Sequence, residues 1–283
     1  MARRGDRSLR VFVLGAGKVG TSLARALRAK GAHVTLRPAR KKLPRTIDAD
    51  VVVLAVRDRD LAPLAERMVG VVSVRSVVVH VAGALSSEAL SPLRGACAGI
   101  AQMHPMISFA STRFAPSLHH GNVEVQGDTV AVARARRLAR LLGMTPRAVP
   151  GLDTVAYHAA AGLVANGAAA LGAVGAELLE KAGVPRAVAA RMLGPLLRSV
   201  ADNVEALGFP EALTGPVRRG DAAGVEKHLK TLREKLPEAV PFYLAAAEAQ
   251  LPLAKAIGDA DEDQLAAVAR VIEAAVVPRP AQG

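Results

Sequence analysis

The sequence predicts an α/β chain: a doubly wound, mostly parallel Rossmann-type sheet followed by a second, all-α domain. Three observations predict it. Short apolar runs alternate with helix-period segments from Leu9 onward. The run VVVLAV after Asp50 is apolar throughout and largely β-branched, as a strand covered on both faces requires. After Gly151 almost every segment reads as helix, with Gly and Pro at the joins.

Each element has its own signal. Leu9–Leu14 is a short apolar run that ends at a glycine, a first strand. Lys18–Lys30 has helical spacing, with Val19, Leu23, Ala26 and Leu27 on one face. His33–Leu36 and Asp50–Val56 are the next strands, Leu61–Met68 a helix, and Ser76–Val81 another buried-type strand. Ser87–Leu93 is a short helix and Gly99–Met103 a strand. Asn122–Val125 and Pro146–Val149 are the last strands, on either side of a helix over Thr129–Leu142. Helices are expected over 154–182, 186–207, 222–236, 240–257 and 261–275. This divides the chain into 1–152 and 153–283, with a frayed PRPAQG tail.

Composition narrows the function. The 283 residues carry a formal net charge of +12, which brings nucleic acid and membranes into consideration. Residues 1–46 alone hold 13 Lys and Arg against one acid, Asp6, so this segment accounts for the whole excess. Aromatics are 2%, too few for base-stacking platforms, and no helix-turn-helix is evident, so no nucleic-acid partner is expected. The basic start resembles a signal peptide, but its apolar run is short, Lys18 interrupts it, and no small-residue cleavage site follows. The 23 residues between Asp153 and Glu177 carry no formal charge, enough length to span a bilayer. Fourteen of them are Ala or Gly, and His158 and Asn166 lie within, so a helix buried in protein is expected and no membrane partner. Cys97 is the single cysteine, which excludes an internal disulfide and suits a cytoplasmic location. His119 and His120 lack companions at ligand spacing, so no metal is expected.

Gly15-Ala16-Gly17-Lys18-Val19-Gly20 reads G-x-G-x-x-G. It follows a predicted strand and opens a predicted helix, the context that makes this motif a dinucleotide fingerprint. Gly15 permits the tight turn, Gly17 the approach of a pyrophosphate, and Gly20 close packing of helix on strand. The helix N-terminus offers free N–H groups to the phosphates. Ala55 and Val56, the last residues of the third expected strand, are further expected contacts. A degenerate fold that has lost its ligand is the alternative. An NAD site has an acid about 20 residues after the first glycine, but no acid occurs from Arg7 to Ile47. Arg37 and Arg40 stand there instead, with Lys41 and Lys42 beside them, and forked arginine donors suit a 2′-phosphate. The expected cofactor is therefore NADP(H); a solvated basic loop is the other reading.

Four stretches carry a family resemblance: VVVHVAGALSSEAL ending at Leu90, QMHPMISFA (102–110), AYHAAAGLVAN (156–166) and ALTGPVRRGDAAGVEKHL (212–229). In this order they resemble a family that joins a Rossmann NADP-oxidoreductase-like domain to a helical domain of unknown function. The second part is similar to the helical domains of pyrroline-5-carboxylate reductase and 6-phosphogluconate dehydrogenase. The resemblance implies a two-domain oxidoreductase, a homodimer through its helical domain, and no settled substrate. His104-Pro105-Met106 is similar to prephenate dehydrogenases, which continue with a glycine where Ile107 or Ser108 stands here. β-Hydroxyacid dehydrogenases carry a lysine four residues before an asparagine; anchored on Asn166, that place is Gly162.

Ligands of doubly wound sheets lie outside the carboxyl ends of the strands. His80 and His104 end two of those strands and are candidate proton donors, or hydrogen-bonded structural histidines. His158 and Asn166 lie just over two helical turns apart, as a pair to bind a substrate or as satisfied polar groups in a bundle. Tyr157 points about 100° away from His158 and ranks lower. Thr214 sits at a turn, and Arg219, ahead of Arg218, could hold a substrate carboxylate or be a surface residue. Asp221 suits an N-cap and Cys97 is expected to be inert. The arginines at 134, 136, 137 and 140 read as a solvated helix face. The leading reading is hydride transfer between NADP(H) and a small polar carbonyl or imine compound. A non-catalytic NADP-binding sensor is the alternative.

Overall fold

In the computed structural model, residues 8–276 are described; the expectation for the tail falls outside them. Seven strands form one sheet: β1 (Arg10–Leu14), β2 (His33–Arg37), β3 (Val51–Leu54), β4 (Val77–His80), β5 (Gly99–Pro105), β6 (Asn122–Gly127) and β7 (Thr145–Arg147). Their spatial order is β2-β1-β3-β4-β5-β6-β7. All neighbours pair in parallel except β5 with β6, which pair antiparallel. The doubly wound, mostly parallel sheet expected from the sequence is therefore present.

Period-2 side-chain alternation splits the apolar strands between two cores. Val11, Val13, Val51, Val53, Val77 and Val79 face one side. There they meet α1 (Lys18–Ala29) through Leu23 and Leu27, and α3 (Thr129–Leu141) through Ala135 and Leu138. Phe12, Leu14, Val52, Leu54 and Val78 face the other side. They meet α2 (Asp58–Met68) through Leu61, Ala65 and Met68, and a 3-10 helix over Ser87–Leu93 through Leu90 and Leu93. Each buried Val, Leu, Phe or Met side chain contributes on the order of 1.5–3 kcal/mol relative to exposure. The solvated-face expectation for α3 needs correction. Arg137 and Arg140 are exposed, but Arg134 donates to the carbonyls of Asp50 and Arg75 at 3.0 and 2.7 Å, and Arg136 Nε is buried.

The chain forms two compact units, residues 1–165 and 166–283. A long helix, α4 (Thr154–Lys181), begins in the first and continues in the second. Asp153 opens it, its Oδ1 accepting from the N–H groups of Val155 and Ala156 at 2.9 and 3.0 Å. The second unit adds α5 (Arg186–Leu207), α6 (Ala222–Lys235), α7 (Val240–Ile257) and α8 (Glu262–Val276). Val225, Leu229, Leu244, Val268 and Ile272 make its core. Asp221 caps α6 as expected, accepting from Gly224 N–H at 2.8 Å. Asp261 and Gln264 form a reciprocal capping box at the start of α8. One expectation is reversed within the single chain: among the described residues, α4 holds no buried one. Length and composition also make α4 apolar enough to cross a membrane.

Candidate active site

The turn from β1 to α1 is closed tightly onto β3. Gly15 has φ +116, and a Cβ there would overlap the Ala55 carbonyl; a Cβ on Gly20 would overlap the Gly15 carbonyl. Gly17 is the extended N-cap of α1, with no side-chain cap on the helix. The first-turn N–H groups of α1 are thus left for an anion. A Cβ on Gly17 would meet no protein atom and would stand in the open space that the glycine borders. That space is a cavity of about 660 Å³, within the size range of small-ligand and cofactor sites.

Gly15, Ala16, Gly17, Arg40, Ala55 and Val56 line it, joined by Arg57, Asp60 and Arg67, which sequence reasoning missed. The miss follows from α2, which starts at Asp58 rather than Leu61 and so brings its first turn alongside the cavity. Lys18 is exposed, Val19 packs on the core and Gly20 is buried, so these three shape the turn rather than line the cavity. Arg37 also departs from expectation. Its guanidinium donates twice to the Lys42 carbonyl, and so closes the loop after β2 instead of facing the cavity.

Beyond β3, from β4 to β6, the sheet becomes polar. His80 on β4 pairs in register with Leu54 on one side and Gln102 on the other; Gln102 faces Gln126 on β6, and His104 faces Glu124. His80 is fully buried, and both its ring nitrogens are engaged. Nε2 donates to the Ser86 carbonyl at 2.9 Å, and Nδ1 accepts from Ala82 N–H at 3.2 Å. Gln102 donates to the carbonyls of Ala82 and Gly83 and accepts from Gln126. Thr154 Oγ1 donates to the Ala84 carbonyl at 3.3 Å. The loop after β4 is therefore held from below by the sheet and tied to the start of α4. Burial lowers the His80 pKa, opposed by the Ser86 carbonyl, so this ring stays neutral. The geometry gives His80 the structural role, not that of a proton donor.

Beside Gly83 of this loop, His104 of β5 meets Tyr157 and His158 of α4. The His104 ring lies edge-on to Tyr157 and to His158, with centroids at 5.4 and 5.6 Å. His104 Nδ1 is 3.4 Å from Tyr157 Oη. A Cβ on Gly83 would overlap His158 Nδ1 and stand 2.7 Å from His104 Nε2, so a glycine is what lets both imidazoles approach. Burial first, then the neighbouring His158 and His80, lower the His104 pKa to about 4. Burial first, then Glu124, raise that of Tyr157. Glu124 is itself buried and accepts from Val149 N–H at 3.2 Å. Tyr157 ranks lower by sequence because its angle from His158 on α4 separates the two, while its contact with His104 comes from the fold. The His104 ring stands against the first turn of that helix and touches residues on both sides of it.

The other candidates belong to the second unit. Asn166, Thr214 and Arg219 are exposed. Arg218 is engaged: its Nε donates to Asp259 at 2.6 Å and its Nη1 to the carbonyls of Glu211 and Leu213. Cys97 is half-buried, and burial pushes its thiol pKa up, as an inert cysteine requires.

Against this geometry, known proteins place the chain by fold. Residues 122–250 match a domain of unknown function, DUF2520. No curated protein matches the chain. A Bacteroides fragilis protein provisionally named an NADP oxidoreductase is 23% identical, with TM-score 0.67, over 86% of this chain and 98% of that one. The NADP-bound pyrroline carboxylate reductase of Plasmodium falciparum is 13% identical, with TM-score 0.60, over 90% and 100%. An imine reductase from Myxococcus stipitatus in complex with NADP+ is 16% identical, with TM-score 0.59, over 93% and 99%. At these identities the likeness establishes a shared Rossmann-type fold with a helical C-terminal region.

Proposed function

We propose that the protein is an NADP(H)-dependent oxidoreductase that transfers hydride to or from a small polar carbonyl or imine compound. The observation that carries the reading is the cavity itself. A glycine turn and an uncapped helix N-terminus suit a pyrophosphate, and Arg40, Arg57 and Arg67 border the same space. The fold neighbours that hold NADP(+) support this choice of cofactor. The nicotinamide of such a cofactor supplies the hydride. The chain supplies the proton chemistry at His104, at the end of β5, and at Tyr157 and His158, on the start of α4 beside it. Asn166, Thr214 and Arg219 are the residues to substitute in the search for a substrate-binding role.

We further propose a homodimer formed through the helical unit. The uncovered apolar side chains of α4 and α5 favour it.

Fluorescence titration with NADPH and NADH tests the cofactor, with NADPH expected to bind at least tenfold tighter. Equal or tighter NADH binding overturns it. Oxidation of NADPH in the presence of glyoxylate, methylglyoxal or 1-pyrroline tests the reaction. Tight NADPH binding without oxidation by any small carbonyl or imine favours the second reading, a non-catalytic sensor. Gly162 supports that second reading, since no lysine stands four residues before Asn166.

A further inference from the structure

A reduction of C=O or C=N needs a proton at oxygen or nitrogen as hydride reaches carbon. His104 is poorly suited to give it. Its imidazole is neutral at pH 7, and only on the order of one molecule in a thousand would carry the extra proton. His80 has both nitrogens committed to the loop after β4. His158 is exposed. Tyr157 is half-buried, keeps its proton at neutral pH, and has its Oη against His104 Nδ1. It also stands on the β4–β5 side of the cavity, in the direction in which a dinucleotide crossing the strand ends would place its second half.

We propose that Tyr157 is the proton donor of the reaction, with His104 as the positioning residue that holds its oxygen and returns its proton. The assignment rests on the oxidoreductase reading above. His104 Nδ1–H donates to Tyr157 Oη, which turns the phenol O–H toward the substrate. As hydride adds to the carbon, the C=O or C=N π electrons move to oxygen or nitrogen, which takes the Tyr157 proton. The phenolate then takes the proton from Nδ1, while Nε2 gains one from solvent by way of His158, whose Nδ1 faces it across Gly83. His104 ends neutral, with the other tautomer, and resets by exchange with solvent. The groups facing Tyr157 and His104 are His80, His158 and Glu124. Burial, and after it the negative charge of Glu124 opposite His104 in the β5–β6 ladder, keep the phenol protonated.

The chain has two tyrosines and no tryptophan, so Tyr243→Phe leaves Tyr157 as the single phenol to observe. The experiment is a pH titration of the tyrosine Cζ signal in ¹³C-tyrosine-labelled Tyr243→Phe protein. Adding His104→Phe is expected to raise the Tyr157 midpoint, because a donor to the phenolate is lost, and His104→Gln, which restores an N–H, to return it. A fall with His104→Phe means that the phenol donates to the imidazole, and overturns the proposal. So does an unchanged midpoint. Adding NADP+ is expected to shift the Tyr157 signal, whereas 2′,5′-ADP, which lacks the nicotinamide, leaves it in place; equal responses overturn the placement. Tyr157→Phe is expected to lower kcat by about 10²-fold or more with NADPH affinity kept. Retained kcat removes Tyr157 from the reaction. Failure of NADPH to bind, or of every substrate to turn over, counts against the oxidoreductase reading. The tyrosine titration still decides the Tyr157–His104 bond.

Discussion

Gly83 shows how a residue without a side chain defines a site. Its missing Cβ is the space into which His104 and His158 turn their nitrogens. The atoms that an added methyl would strike are the ends of two side chains that can swing away, not backbone. Gly83→Ala is therefore expected to leave the thermal midpoint nearly unchanged while lowering kcat at least tenfold; loss of both together would point to a collapsed loop instead. His104 makes a second prediction at this scale. Its pKa in the folded protein, about 4, lies below the ordinary 6.5, so between those values the unfolded chain binds more protons. Stability is thus complete above about pH 6.5 and falls by about 3 kcal/mol as pH drops toward 4, with buried His80 acting in the same direction. Urea denaturation at pH 7 and 4.5 checks this, with a smaller pH effect expected for His104→Phe. His104 was readable from sequence as a polar residue at a strand end. Gln102 and His104 on β5, and Glu124 and Gln126 on β6, also carry a period-2 polar signal, which becomes informative only once the pairing of β5 with β6 brings the two together.

Elements were the most legible scale, for a physical reason. β-branched runs and helical periodicity are local, and the sheet and helices follow them to within a few residues. The misses lie at ends, where tertiary contacts decide. β5 continues to Pro105 because β6 pairs with it, a contact that no local pattern announces. The loop after β2 shows the consequence for function. Sequence spacing makes Arg37 and Arg40 equals, but their side-chain contacts separate their tasks. Arg37 is spent on the Lys42 carbonyl and Arg40 lines the cavity. Arg40→Ala is expected to weaken NADPH binding by about 10- to 100-fold, the scale of a lost charge-assisted bond, with NADH binding little changed. Arg37→Ala is expected to weaken both cofactors to a similar, smaller degree by loosening the loop. Selective loss of NADPH in the Arg37 variant, measured by the same titration, would return Arg37 to the phosphate.

At the scale of the whole molecule, α4 and α5 are the part that one chain leaves unexplained. A helix apolar around most of its circumference belongs inside protein or lipid. Yet Leu163 and Val164 on α4 are 77% and 72% exposed, and Met192, Leu196 and Val200 on α5 are at least half open or close to it. The sequence led to the expectation of a buried helix because it records apolar character without saying which chain provides the cover. A second copy meets the need better than lipid. The first turn of α4 is bound to the sheet through Thr154 and Tyr157, and Asn166 interrupts the apolar stretch with a polar side chain that lipid would penalise. The second half of the chain, residues 148–283, holds 13 basic and 16 acidic groups, too balanced to resist self-association. Sedimentation in detergent-free buffer is expected to give a dimer at micromolar concentration. The double variant Leu196→Glu and Val200→Glu is expected to sediment as a monomer, because burying two carboxylates without partners costs several kcal/mol. Circular dichroism should retain the helical signal of the parent. A parent protein that is monomeric at these concentrations, or soluble only with detergent, would overturn the dimer.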